Sequence, residues 1–426
     1  MALLSRRRAI SDVSKIRVRE DRLRKDLLEL ARYGEEQDGG VMRTALSDAD
    51  MEARCWFKDR MSEAGLRVRE DAAANIIGRL DPMADSADTP CIAMGSHIDT
   101  VPHGGRFDGA LGICGGLEAI RAIRESKVPL PCALELLVFT DEEGSHYAGT
   151  FGSRAMFNLL LEDEIHRSRS SGKPSLAKDL ERIGKDPERI AQAVRSPSNF
   201  RVFLELHIEQ GPILESLGVP IGVVEGIVAV HRYTIHVKGM AGHAGTTPMR
   251  RRDDALVKAA RVITAVNEAV TAAGPSIVGT IGELSLYPGA FNIIPGEVTM
   301  SLELRSMKES VIQPVQGHIE EIVRSVSNTR LDPLLSKGGV DLDPVIMDAI
   351  EISCREGGIL FHRMASGAGH DAMTFPPLGV PTGMIFIPCV DGRSHCPDEN
   401  ITWKDAATGA QILADTVIRV AGLRIN

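Results

Sequence analysis

No run of roughly 18 apolar residues occurs in the 426-residue chain, which excludes a membrane-spanning helix. The opening Met1-Ala2-Leu3-Leu4-Ser5-Arg6-Arg7-Arg8 lacks the apolar centre of a secretory signal, although its arginines leave room for a short transit peptide. Cysteine is sparse: the seven residues are odd in number and include no Cys-x-x-Cys pair. They predict reduced core thiols in the cytoplasm rather than a disulfide framework. Positive charge is in deficit, with 49 Lys and Arg against 58 Asp and Glu, so the net charge of -9 argues against a nucleic-acid partner. Internal repeats and low-complexity tracts are also missing. What remains is a chain long enough for two domains, each able to bury its own core.

Against this background an acidic doublet stands out. Glu142-Glu143 lies in Leu137-Val138-Phe139-Thr140-Asp141-Glu142-Glu143-Gly144, where aliphatic residues feed three acids and a glycine. The run reads as a strand whose carboxyl end opens into a site, the place where open α/β sheets put ligands. Adjacent buried acids repel unless a cation or a proton separates them. A solvated acidic turn fits the doublet equally well when it is taken alone.

Three other segments share the layout. Cys91 to Gly95 leads into Ser96-His97-Ile98-Asp99, Phe200 to Leu206 into His207-Ile208-Glu209-Gln210-Gly211, and Thr382 to Pro388 into Asp391-Gly392-Arg393-Ser394-His395. Only 12 histidines are present, and three of them follow strand-like apolar runs. Asp108, in Gly104-Gly105-Arg106-Phe107-Asp108-Gly109, precedes a helix-like stretch over 113–123. Together His97, Asp108, Glu143, His207 and His395 form an oxygen and imidazole set suited to Zn, Mn, Co or Ni, and Asp108 can bridge two ions. Glu142 then remains free as a general base, because a metal ligand and a base cannot be the same carboxylate.

With these residues in hand, the chain resembles the two-metal amidohydrolases of the M20 peptidase superfamily. The closer likeness rests on His207, Glu209-Gln210-Gly211-Pro212, Gly242-His243-Ala244-Gly245-Thr246-Thr247-Pro248-Met249, Ser366-Gly367-Ala368-Gly369-His370-Asp371-Ala372 and Ser394-His395-x-Pro397-x-Glu399. It is similar to the branch of N-carbamoyl-L-amino-acid hydrolases, allantoate amidohydrolases and β-ureidopropionases, from about Leu23 to the C-terminus. The resemblance implies an α/β fold: a mostly parallel-sheet catalytic domain of the zinc-exopeptidase type, interrupted by a smaller α+β lid and dimerisation domain. By the family pattern His97 and His207 hold one divalent ion, Glu143 and His395 a second, and Asp108 both. Asp99 orients His97, Glu142 moves the protons, and His243 stabilises the oxyanion. Arg305, Asn292 and Gln210 would bind the substrate, with Gly369 and His370 at its pocket. The fork of an arginine suits a carboxylate. The implied substrate is a small ureido or amide carboxylate, an N-carbamoyl-L-amino acid first, then allantoate or β-ureidopropionate, with an aminoacylase or peptidase as the more distant reading. The implied assembly is a homodimer through the inserted domain. Where the family often places an arginine after the doublet, this chain has Ser145-His146-Tyr147, which alters the polarity expected of the pocket.

The expected organisation is a catalytic domain over 1–222 and 336–426, with the insert over 223–335. Helices are expected over 19–33 and 47–64, the second with Ser47 as N-cap. The insert reads as a strand over 231–238, a helix over 254–271, strands over 277–285 and 297–305, and a helix over 311–325.

Overall fold

The computed structural model describes residues 16–82, 90–145, 147–167 and 174–422. The arginine-bearing start of the chain and His146 lie outside them. The chain divides into two compact units. One takes residues up to Glu225, Leu342–Met364 and the chain from His370, and the other Gly226–Asp341 with Ala365–Gly369.

In the first unit four strands lie parallel at the centre of a nine-stranded sheet, in the order Leu134–Phe139, Cys91–His97, Phe200–Ile208, Thr382–Ile387. Every residue of Cys91–His97, Leu134–Phe139 and Thr382–Ile387 is buried, which is why these strands read as continuous apolar runs rather than alternating ones. Ile76–Leu80 and Ile221–Ile227 flank them as antiparallel neighbours. From Cys91–His97 the chain runs through the helix Ala110–Ser126 to Leu134–Phe139 on one side, then returns to Phe200–Ile208 on the other. The direction of winding therefore reverses between Cys91–His97 and Phe200–Ile208. Ligand sites form outside the carboxyl ends of strands at such a reversal, and these two ends carry His97 and His207. Glu20–Ala31, Ala110–Ser126, Pro344–Gly357 and Trp403–Gly422 contribute Leu27, Leu117, Ile350 and Leu413 to one core with Met94, Leu136, Leu204 and Ile385 of the sheet.

The expected helix over 47–64 forms as Asp48–Glu63, with the Ser47 side chain accepting the Asp50 N–H at 3.2 Å. Replacing this cap by alanine should cost about 1 kcal/mol. A Ser47→Ala variant is expected to show that loss as a lower urea midpoint; an unmoved midpoint would mean that Asp50, which accepts the Leu46 N–H, caps the turn alone.

The second unit has a five-stranded antiparallel sheet, ordered Leu284–Tyr287, Glu297–Ser306, Ala229–Lys238, Thr329–Lys337, with Ile277–Thr280 also paired to Glu297–Ser306. Burial alternates strictly along Glu297–Ser306, so one face of the sheet is covered. The helices Ala255–Ala272 and Glu309–Ser325 supply Val262, Val266, Ile312 and Ile319 to that core. The expected strand over 277–285 is two strands, because the Gly282 and Glu283 N–H groups turn to the Ser301 hydroxyl. Thr329–Lys337 was not anticipated; Pro333 and the exposed Leu334 and Leu335 mask its pattern, and the register shifts there. Among the described residues no helix is long and apolar enough to cross a membrane.

Candidate metal centre

The site is assembled from strand ends of the first unit. His97 closes its strand, His207 is the penultimate residue of Phe200–Ile208, and Glu142 and Glu143 follow Leu134–Phe139 after Thr140-Asp141. His395 lies on the loop beyond Thr382–Ile387, and Asp108 on the turn into Ala110–Ser126. Gly109 makes this turn possible: its φ is +65°, and a Cβ there would sit 2.5 Å from the His97 ring. Gln210 and His395 adopt φ of 59° and 56°, a left-handed conformation that costs a non-glycine residue roughly 1–2 kcal/mol. Strain of this kind gathers at functional sites.

Asp108 is the hub. Its Oδ1 lies 3.1 Å from His207 Nε2 and 3.6 Å from His97 Nε2, and its Oδ2 lies 3.2 Å from His395 Nε2. His395 Nε2 is also 3.5 Å from Glu143 Oε2, and His97 Nε2 is 3.6 Å from Glu142 Oε2. Two groups of potential ligands share Asp108, His97 with Asp108 and His207, and Asp108 with Glu143 and His395, while a third joins Glu205, His207 and His370. His97 Nδ1 lies 2.9 Å from the Asp99 carbonyl and His207 Nδ1 2.9 Å from the Ile208 carbonyl, so both rings donate from Nδ1. That tautomer leaves Nε2, the atom facing Asp108, as the lone pair of the neutral ring, and at His207 it accepts the Gly109 N–H at 3.3 Å.

The charges are crowded. Burial, reinforced by Glu143, Asp371, Asp99 and Asp108, pushes the Glu142 carboxyl well above the usual carboxylate range. Burial and Asp108 do the same to Glu143. Burial alone would raise Asp108 too, but His207, His395 and His97 outweigh it and hold that carboxyl well below its ordinary value.

The residues fit divalent cations. Two ligands at ~2.0–2.1 Å from a tetrahedral ion are about 3.3 Å apart. The measured separations of 3.1, 3.2, 3.5 and 3.6 Å bracket that value. Glu143 Oε1 and Gln210 Oε1 are buried with no hydrogen-bond partner among the described residues, an arrangement costly for an acceptor unless something else satisfies it.

Other residues singled out in the sequence lie around this hub. Gln210 Nε2 donates to Asp108 Oδ2 at 2.7 Å. His370 is buried with its ring 4.5 Å from that of His207, edge to face. Asp99 differs in detail from the expectation: its main-chain carbonyl, not its carboxylate, is the near partner of His97, the carboxylate lying 3.8 Å away. That carboxylate instead accepts the Glu142 and Glu143 N–H groups at 3.3 and 3.2 Å, so it anchors the doublet. Tyr147 is buried, and its hydroxyl donates to Asp179.

His243, Asn292, Arg305 and Gly369 belong to the second unit. His243 pairs with Ile293 on a two-stranded ribbon, and the Asn292 carbonyl accepts the Ala244 N–H at 2.9 Å. His243 Nδ1 accepts the Gly245 and Thr246 N–H groups at 3.0 and 3.3 Å, so the neutral ring carries its proton on Nε2. Arg305 donates from Nε to Glu303 at 2.6 Å and from Nη1 to the Gly367 carbonyl at 2.7 Å.

Two acids at the site were given no role in the sequence reading. Glu205, fully buried, accepts from Ser96 Oγ and the Ala372 N–H, both at 2.9 Å, beside His207 and His370. An acid inside the apolar run Phe203-Leu204-Glu205-Leu206, two residues before His207 and hence on the same strand face, was the available signal. Glu399 is also fully buried and accepts the Phe107 and Asp108 N–H groups.

Residues 93–419 match the model of Peptidase family M20/M25/M40. The N-carbamoyl-L-amino acid amidohydrolase of Geobacillus stearothermophilus is 38% identical, the match covering 95% of this chain and 99% of that protein. The allantoate amidohydrolase of Escherichia coli (strain K12) is 32% identical over 92% of this chain and 96% of its own length. The crystal structure of a hydantoinase/carbamoylase family amidase from Burkholderia multivorans superimposes with a TM-score of 0.85 at 32% identity, covering 96% of this chain and all of that one. A parallel sheet with two histidines at its point of reversal, an aspartate between two ligand groups, and a family match over most of the sequence lead to one assignment: the chain belongs to Peptidase family M20/M25/M40.

Proposed function

We propose that the protein hydrolyses the ureido (N-carbamoyl) group of a small carboxylate, with an N-carbamoyl-L-amino acid as substrate, and releases ammonia and carbon dioxide with the free amino acid. The observation that carries the reading is the pair of ligand groups sharing Asp108, in a chain 38% identical to an N-carbamoyl-L-amino acid amidohydrolase. His97 and His207 would hold one divalent ion, Glu143 and His395 a second, and Asp108 both. Such ions, of Zn, Mn, Co or Ni type, supply Lewis acidity toward the carbonyl and toward water when bound.

The residues supply the rest. Glu142, whose buried carboxyl favours holding a proton, takes one from the attacking water and delivers it to the leaving nitrogen. His243 donates from Nε2 to the oxygen that gains negative charge. Arg305, steadied by Glu303 and Gly367, receives the substrate carboxylate, with Asn292, Gln210, Gly369 and His370 completing the pocket. Because His243, Asn292 and Arg305 lie on the second unit, catalysis calls for that unit to act as a lid, and the same unit would build a homodimer. The seven free cysteines, five of them buried, support a reducing compartment such as the cytoplasm.

Allantoate is the second reading, favoured by the E. coli relative. The test is ammonia release from a panel of N-carbamoyl-L-amino acids, allantoate, ureidopropionate and ureidoglycolate, each with Zn, Mn, Co or Ni. Chelation is expected to abolish turnover and the added ion to restore it. Amino-acid release from dipeptides without ammonia from any ureido acid would sink the proposal.

A further inference from the structure

We infer that Glu399 is a positioning residue that fixes Asp108 and the His395 loop as one unit, and so sets the affinity of the ion that Glu143 and His395 would hold. This rests on the two-ion reading above. Glu399 is fully buried. Its Oε1 accepts the Phe107 N–H at 2.8 Å and the Asp108 N–H at 3.1 Å, partners 292 and 291 positions away. Its Oε2 accepts from Ser394 Oγ at 2.8 Å, and the same hydroxyl lies 3.1 Å from Asp108 Oδ2. One carboxylate thus binds the backbone of Asp108 and, through the Ser394 hydroxyl, the residue preceding His395. The approach is close: a Cβ on Gly105 would stand 2.1 Å from the Glu399 carboxyl.

The need for such a tie is visible at His395. Its side chain is 47% exposed, its backbone is left-handed, and it belongs to a loop rather than a strand. His97 and His207, by contrast, are held within the sheet and by their own Nδ1 bonds to carbonyls. A carboxylate is acceptor-only and meets three donors here. Outer partners of metal ligands typically contribute roughly 10–100-fold to affinity or activity. Because Asp108 would serve both ions while Ser394 adjoins only His395, the effect should be larger on the His395 side than on the His97 and His207 side.

The experiment is a Zn²⁺ titration of the full-length protein against a chromophoric chelator, paired with kcat and KM. Wild type is expected to bind two ions. Glu399→Ala should weaken one binding step by roughly 10–100-fold, weaken the other less, and lower kcat with little change in KM. Glu399→Gln keeps an acceptor for the two N–H groups, and its amide can donate to Ser394 while that hydroxyl donates to Asp108, so both steps should return close to wild type. An alanine variant that titrates like wild type, a glutamine variant as weak as alanine, or equal weakening of both steps overturns the inference. If Glu399→Ala fails to fold, Ser394→Ala should weaken the same step most, and an unchanged titration there overturns it. A wild-type protein that binds fewer than two ions removes the two-ion reading instead.

Discussion

Glu142→Gln is expected to lower kcat by roughly 10²–10⁴-fold, the usual contribution of a positioned general base. That loss corresponds to about 2.7–5.4 kcal/mol in the barrier. The amide has the shape of the carboxyl but cannot accept and return a proton. It also removes the charge that burial and Glu143 oppose, so the variant should fold at least as well as wild type. Glu142 Oε2 stands 3.6 Å from His97 Nε2, near enough that a ligand role has to be separated from a base role. Metal titration makes the separation: as a base, Glu142 can be replaced without moving either binding step. Turnover within a few-fold of wild type would show that another group moves the proton, and lost metal would make Glu142 a ligand.

His243→Ala should cost roughly 2.7–4 kcal/mol in the barrier, or about 10²–10³-fold in kcat, the range for one oxyanion donor. The tautomer argues for the role: Nδ1 is committed to two backbone N–H groups, so the neutral ring can only donate from Nε2. Since His243 sits on the second unit, its loss should leave both Zn²⁺ binding steps where they are. A variant whose KM rises while kcat holds would assign His243 to substrate binding instead. The ring is solvent-exposed, so its removal should leave global stability within about 0.5 kcal/mol of wild type.

How much of this was readable beforehand depended on distance along the chain. Each parallel strand announced itself as an apolar run ending in a polar residue, because burial on both faces removes the alternation that otherwise marks a strand. The same rule failed at 329–337, where a proline and exposed leucines conceal an edge strand, and at 277–285, where one serine hydroxyl diverts two N–H groups and splits the strand. Asp99 was assigned to His97 by the family resemblance, yet its carboxylate serves the doublet 43 and 44 positions later. Glu205 lay in plain view inside an apolar strand and was read as part of it.

By itself, then, the sequence determined the local chemistry: which strand ends carry imidazoles and acids, that Glu142 and Glu143 stand side by side, and that a glycine follows Asp108. Those features depend on residue type and short-range periodicity, which a linear string contains. Only the tertiary structure decided that Asp108 turns one oxygen toward His97 and His207 and the other toward His395, and that Glu399 reaches back 291 positions to hold the Asp108 N–H. Contacts of that kind are selected by the packing of a whole core and by the pairing of every buried donor. No local propensity encodes them.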